Sequence, residues 1–133
     1  MTEIKLQSQL RAAFAFKCIK HAQALNSDQQ KEVKSYLQAL PAMIQMNGFG
    51  QAIAFYKAHP QGKRGGESYQ LIYGWLSSWL KQQAIYSQDL MQAICEQDMA
   101  SYQLATAETQ ALLVWLKKFA RAYLKGDEST EGA

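Results

Sequence analysis

Apolar residues recur along this chain at intervals of three and four, the spacing that lines one face of an α-helix. Residues 2–25 are predicted to form a first helix, with Leu6, Leu10, Phe14, Cys18, His21 and Leu25 as its inward stripe and Arg11, Lys17 and Lys20 along its borders. Asn26, Ser27 and Asp28 interrupt the pattern, and Ser27 followed by Gln30 has the form of a capping box that starts a second helix. Val33, Tyr36, Leu37 and Leu40 give that helix its apolar face. Pro41 then reads as punctuation, opening a short helix over 41–46 that ends at Asn47-Gly48. A further helix is predicted over 49–58, with Phe49, Ala52, Ile53 and Tyr56 inward.

The clearest loop is 59–66, where Pro60, Gly62, Gly65 and Gly66 surround Lys63 and Arg64. Helix 67–83 carries Tyr69, Ile72, Tyr73, Leu76, Trp79 and Leu80 on one side, with Leu71 and Trp75 pointing elsewhere. Ser87 reads as the cap of a helix running to Met99 with Leu90, Ile94 and Cys95 inward. The last helix spans 101–124, its core stripe being Leu104, Ala111, Leu112, Trp115 and Phe119. No segment alternates with a period of two, so strands are not expected. The prediction is an all-α fold, a single compact bundle of six to seven helices over 1–125, followed by a polar, disordered tail at 126–133.

Composition agrees with one globular domain: 133 residues, 48% of them hydrophobic. No apolar run approaches the roughly 20 residues of a membrane span. The N-terminus lacks the basic start and apolar run of a signal peptide, so a cytoplasmic location and no membrane partner are expected. Cys18 and Cys95 fall inside apolar patterns and read as buried thiols of a reducing compartment.

Charge is uneven. Residues 1–66 hold nine Lys/Arg against three acids, a net +6, whereas 67–133 hold five against eight, a net −3. A basic half suits a polyanion, an acidic protein or plain solvent.

Motifs for chemistry are missing. There is no H-E-x-x-H, no E-x-x-H pair and no EF-hand spacing, so no metal, cofactor or catalytic residue is expected. His21 reads as a hydrogen-bonded core residue and His59 as a loop-edge residue. The glycine-rich loop lacks the spacing and the preceding strand of a phosphate-binding loop, though Lys63 and Arg64 could touch an RNA backbone. Glu108 falls in the middle of the last helix's core stripe. A lone buried carboxylate is costly, which predicts a partner such as a tyrosine hydroxyl, Lys17, His21 or a backbone N–H. On the opposite face, Lys117, Arg121 and Lys125 recur at four-residue spacing among Leu113, Val114 and Leu124. Mixed apolar and basic surface is what a protein or RNA contact uses. Trp75, Trp79 and Trp115 stand among leucines and read as core.

Three stretches resemble one family. Residues 40–55, from Leu40-Pro41 through Ile44, Asn47-Gly48 and Phe55, look like the "LP-x-x-I-x-x-N-G-L-x-x-x-x-x-F" centre of the small fifth subunit of the Cmr (type III-B) CRISPR effector complex. Residues 73–80 are similar to the family's helix that ends in a Trp-Leu pair, here Trp79-Leu80. Residues 102–108 with 115–120 resemble its closing signature, the inward Glu108 included, while Gln103 stands where the family often has arginine.

The resemblance implies a helical, non-catalytic subunit of an antiviral ribonucleoprotein. Its implied partners are other Cmr subunits, especially the backbone subunits that hold the guide, together with copies of itself and guide and target RNA. Base pairing would supply specificity there, leaving shape and positive charge to the protein. The candidate RNA-binding residues are Arg11, Lys17, Lys20, Lys57, Lys63 and Arg64 from the basic half, with Lys117 and Arg121 as a second group. Leu71, Leu113 and Val114 are the candidates for stacking. A helix-turn-helix DNA-binding regulator is the alternative, with Asn47-Gly48 as its turn and Gln51 and Lys57 as readers. A helical enzyme with an unmarked site is the third reading.

Overall fold

The structure, a computed structural model, describes residues 6–59, 62 and 65–126. Lys63, Arg64 and the predicted tail beyond Gly126 lie outside the described residues. Six helices follow in order: α1 (Gln7–Ala22), α2 (Ser27–Asn47), α3 (Phe49–Lys57), α4 (Gly66–Gln82), α5 (Leu90–Glu96) and α6 (Met99–Tyr123). No strand occurs among the described residues. No helix among them is long and apolar enough to cross a membrane.

The fold is organised around α6, which packs on α1, α2 and α4. α1 runs parallel to it: Gln7 and Arg11 lie by Glu108, and Gln23 Nε2 donates to the carbonyl of Tyr123 at 3.1 Å. α2 runs antiparallel, with Gln110 donating to the Pro41 carbonyl and the Lys125 amide to Gln30 Oε1, each at 3.1 Å. α3 and α5 close the far side by packing on each other and on α4, with α3 also against α2. Ala15 and Ala22 on α1, with Ala105 and Ala120 on α6, are fully buried. Small residues let helix backbones approach closely, and dispersion contacts then accumulate along the seam.

Pro41 does not end a helix. α2 runs 21 residues straight through it. An interior proline forfeits a backbone hydrogen bond and costs about 3 kcal/mol. Leu37, Leu40 and Ile44, on both sides of the proline, are buried against the rest of the core, and burying side chains of this kind contributes about 1.5–3 kcal/mol each. Tertiary packing therefore outweighs the local penalty. The stop comes at Gly48, whose φ of 89° and ψ of 156° close α2 and launch α3 in a new direction. A side chain at such a φ is strained, so glycine is required there.

Caps and polar staples fix the ends. Asn26, one residue before the expected Ser27, caps α2 by accepting from the Gln29 amide at 2.8 Å. Gln30 is then free to turn inward. Its amide donates to the carbonyls of Gln23 and Leu25 at 3.1 and 2.9 Å while its oxygen takes the Lys125 amide. One buried carboxamide thus ties the ends of α1 and α6 to the start of α2. Asp89, rather than Ser87, precedes α5, and Asp98 caps α6.

Several predicted faces are rotated. On α1 the buried residues are Ala15, Cys18, Ile19 and Ala22, while Leu6 and Leu10 are exposed and His21 is exposed rather than core. On α6 the buried arc is Ala105, Glu108, Thr109, Leu112, Leu113, Leu116 and Ala120. That is rotated by roughly a quarter turn from the predicted stripe, and Leu104 is exposed. A helix covered by neighbours on two sides buries the arc between them, not its most apolar stripe. Trp75 is buried, in keeping with its place among leucines, and Leu71 is half-buried, whereas Cys95 is exposed, against expectation. Cys18 is a buried thiol, its pKa pushed up to about 12 by loss of solvent. On α3 the inward set Phe49, Ala52, Ile53 and Tyr56 is as predicted.

Gly48→Ala is expected to cost about 1–3 kcal/mol in urea unfolding, because its strain is in the backbone rather than in space. A Cβ there would meet nothing nearer than the Tyr102 hydroxyl at 3.8 Å. A matching Gly74→Ala change, in open helical surface, should be neutral or stabilising.

Candidate nucleic-acid interface

The antiparallel seam of α2 and α6 opens into a groove of about 390 Å³ lined by Pro41, Gln45, Gln110, Val114, Lys117, Lys118 and Arg121. Its position follows from the α6 wheel. Thr109, Leu113 and Leu116 point into the core, so Gln110, Val114, Lys117 and Arg121 come to the rim facing α2. Pro41 contributes an apolar wall, and its carbonyl is engaged by Gln110. Among the described residues, Lys117, Lys118 and Arg121 form no ion pair. Among the described residues, no carboxylate lines the groove. Three uncompensated cations beside two carboxamides and an apolar wall can hold an anionic backbone, and the carboxamides can donate or accept alongside it.

The remaining candidates lie elsewhere. Lys17 borders a shallow hollow with Leu10, Phe14, Trp79 and Gln83 between α1 and α4. Lys20 holds its ammonium 5.6 Å from the Phe16 ring centre and 5.9 Å from that of Tyr123, beside the end of α6. Lys57 sits over the Tyr73 ring at 4.7 Å, on the α3–α4 seam. Among the described residues, the candidate cations of the basic half therefore do not share one face. Lys20 joins the α6 end of the molecule, and Lys57 does not.

Arg11 is committed inward. Its Nε and Nη2 donate to Glu108 at 2.5 and 3.1 Å, and Trp79 Nε1 donates to the same carboxylate at 3.2 Å. Gln7 adds a long contact of 3.5 Å. Glu108 thus has a partner, as its buried place demanded, but none of those named from sequence. The reason is geometric: α1 runs parallel to α6 with Arg11, not Lys17 or His21, level with Glu108. Burial raises the Glu108 pKa, but hydrogen bonds from Arg11 and Trp79, and the Arg11 charge, outweigh it and hold the carboxyl below its ordinary range. The Arg11 pKa is raised in turn, first by its hydrogen bond to Glu108. Arg11 thus serves the fold as the counterion of Glu108.

The stacking candidates divide similarly. Leu113 is fully buried and unable to meet a base, Leu71 is half-buried, and Val114 is exposed in the groove. Sequence reasoning missed Lys118 and Gln45 as groove residues. Lys118 had a signal, lying next to the Lys117–Arg121 series. Gln45 had none, because its place depends on α2 continuing past Pro41. No group of three or more His, Cys, Asp or Glu side chains placed to hold a metal ion occurs among the described residues.

A family model described as CRISPR-associated protein (Cas_Cmr5) matches residues 7–123, nearly the whole helical body. The chain belongs to the Cmr5 family. Members of this family are small subunits of the Cmr, type III-B, CRISPR complex, and this chain is one of them. Among solved structures, the crystal structure of a CRISPR-associated Cmr5 family protein from Thermus thermophilus shares the fold, with a TM-score of 0.73 and 23% identity. The match covers 91% of this chain and 100% of that one. The segments that resemble Cmr5 in sequence map onto the end of α2 with α3, the second half of α4, and α6. Of these, α2 and α6 build the groove and α4 supplies Trp79 to Glu108, while the Arg11 partner comes from α1, outside the three segments.

Glu108→Ala is expected to lower stability at pH 7 by about 3 kcal/mol, since it strands Arg11 and the Trp79 N–H. A carboxyl whose folded pKa is depressed stabilises above its unfolded value, near 4.3, and loses that contribution as pH falls through the folded value. The gap between wild type and variant, read from urea midpoints, should therefore narrow on going from pH 7 to pH 3.

Proposed function

We propose that this Cmr5-family chain is a non-catalytic, channel-lining spacer of the ribonucleoprotein, working in the cytoplasm. It packs beside the guide-holding backbone subunits and against copies of itself, and its cations touch the phosphates of guide or target RNA. The observation that carries this reading is the α2–α6 groove, where Lys117, Lys118 and Arg121 meet solvent and, among the described residues, no carboxylate lines the groove. Contacts of this kind neutralise phosphates without reading bases. They suit a protein whose complex delegates sequence recognition to base pairing.

Within the candidate set the groove supports Lys117 and Arg121 most directly, and Lys20 by its place near the end of α6. Lys17 remains an exposed candidate on α1, and Lys57 one on the α3–α4 seam. Lys63 and Arg64 remain candidates on sequence grounds. Arg11 contributes by holding α1 in register. The regulator reading has less to draw on: α3 buries Phe49, Ala52, Ile53 and Tyr56, and Lys57 lies over Tyr73. Gln51 alone is left for base edges, where a recognition helix uses three or four residues.

Lys117→Glu with Arg121→Glu should weaken binding of the purified chain to unstructured RNA by at least tenfold at low salt. The slope of log affinity against log salt should fall by about 1.4, at about 0.7 for each lost phosphate contact. The same double variant should be recovered in lower yield with RNA and backbone subunits on co-purification. Unchanged affinity and unchanged slope would count against the groove as the RNA contact.

A further inference from the structure

Two aromatic clusters differ in what they leave open. Between α2, α3 and α4 the rings are used up on one another. Tyr36 stacks on Tyr69 with centres 3.8 Å apart and planes 7° from parallel, and His59 stacks on Tyr69 at 4.0 Å. Both faces of Tyr69 are thereby covered.

Between α1 and α6 the arrangement is different. Phe16 meets Phe119 at 5.6 Å and 77°, and Tyr123 at 5.7 Å and 80°. Phe119 and Tyr123 are tilted by 51°. None of these pairs is parallel, and edge-on contacts leave ring faces available to another planar group. Phe16 and Tyr123 are 40% and 45% exposed, so part of each ring reaches solvent. Lys20 holds its ammonium over both rings, 5.6 Å from the centre of Phe16 and 5.9 Å from that of Tyr123.

The surroundings select the partner. α1 has no acidic residue, and neither does 109–126. These two segments nonetheless carry Lys17, Lys20, Lys117, Lys118, Arg121 and Lys125. An apolar protein partner would need no such field, whereas a strand with a π-face and a phosphate at every step uses both features.

We propose that Phe16 and Tyr123, backed by Phe119 and flanked by Lys20, stack an unpaired base of a single-stranded nucleic acid. The proposal rests on the RNA-contact reading above and adds aromatic stacking, which the α2–α6 groove, with no aromatic side chain among its described lining residues, does not supply.

The test compares an unstructured RNA oligomer with an abasic ribose-phosphate oligomer of equal length and charge, each titrated against the full purified chain at low salt. The wild type is expected to bind the base-bearing oligomer about tenfold more tightly, the range of one or two stacked bases. Phe16→Leu with Tyr123→Leu keeps apolar bulk on the patch but removes the rings. This variant should lose that preference, binding the RNA about five- to tenfold more weakly and the abasic oligomer as before. An unchanged near-ultraviolet signal from the buried tryptophans would show that its fold is intact. Equal binding of both oligomers by the wild type would overturn the stacking proposal while leaving the groove reading standing. Binding of neither would overturn both. A double variant that keeps its base preference but no longer co-purifies with other Cmr subunits would assign the patch to a protein contact and overturn the proposal.

Discussion

A carboxylate placed in the core of a helical protein constrains everything around it. Glu108 sits on the buried arc of α6, where an unpaired charge would be untenable, and the fold meets that demand with Arg11 and the Trp79 indole. Because Arg11 is on α1 and Trp79 on α4, satisfying one carboxylate fixes three helices relative to one another. The parallel register of α1 on α6 follows, and with it the meeting of Phe16, about one and a half turns further along α1, with Phe119 and Tyr123, about three to four turns further along α6. The surface on the α1–α6 side is therefore positioned by a polar interaction at its base.

The same constraint sorts the cations. One arginine is drawn inward and its charge cancelled. Among the described residues, the lysines and arginine of the second half of α6 have no acidic neighbour in their groove and lie at the surface. Uncompensated like charges repel, which costs stability in the free chain, and the repulsion is relieved when a polyanion arrives. Gln30 serves the opposite purpose. By joining the ends of α1 and α6 to the start of α2, it closes the bundle without adding charge.

Local signals and tertiary demands agree in some elements and conflict in others. α3 was legible in full: although it packs on α2, α4 and α5, the residues it buries are the stripe its sequence advertises. α6 was legible in extent but not in rotation, because it lies among three partners and its burial is set by their positions. Pro41 was misread as a boundary because its cost is local and visible, while the packing of Leu37, Leu40 and Ile44 that offsets it is neither. For the candidate site, the Lys117–Arg121 series could be read directly from spacing. The wall opposite, Pro41 and Gln45, could not, since it exists only if α2 continues.

By itself, then, the sequence determined the all-helical class, most helix extents, the need for a partner at Glu108 and the family, since periodicity, breakers and ordered motifs are properties of neighbours along the chain. Only the tertiary structure decided which arginine answers that glutamate, which face of each helix meets solvent, and which cations come together. Those depend on distances between residues up to a hundred positions apart, and the direction and rotation of helices that set them are fixed by packing against several partners at once.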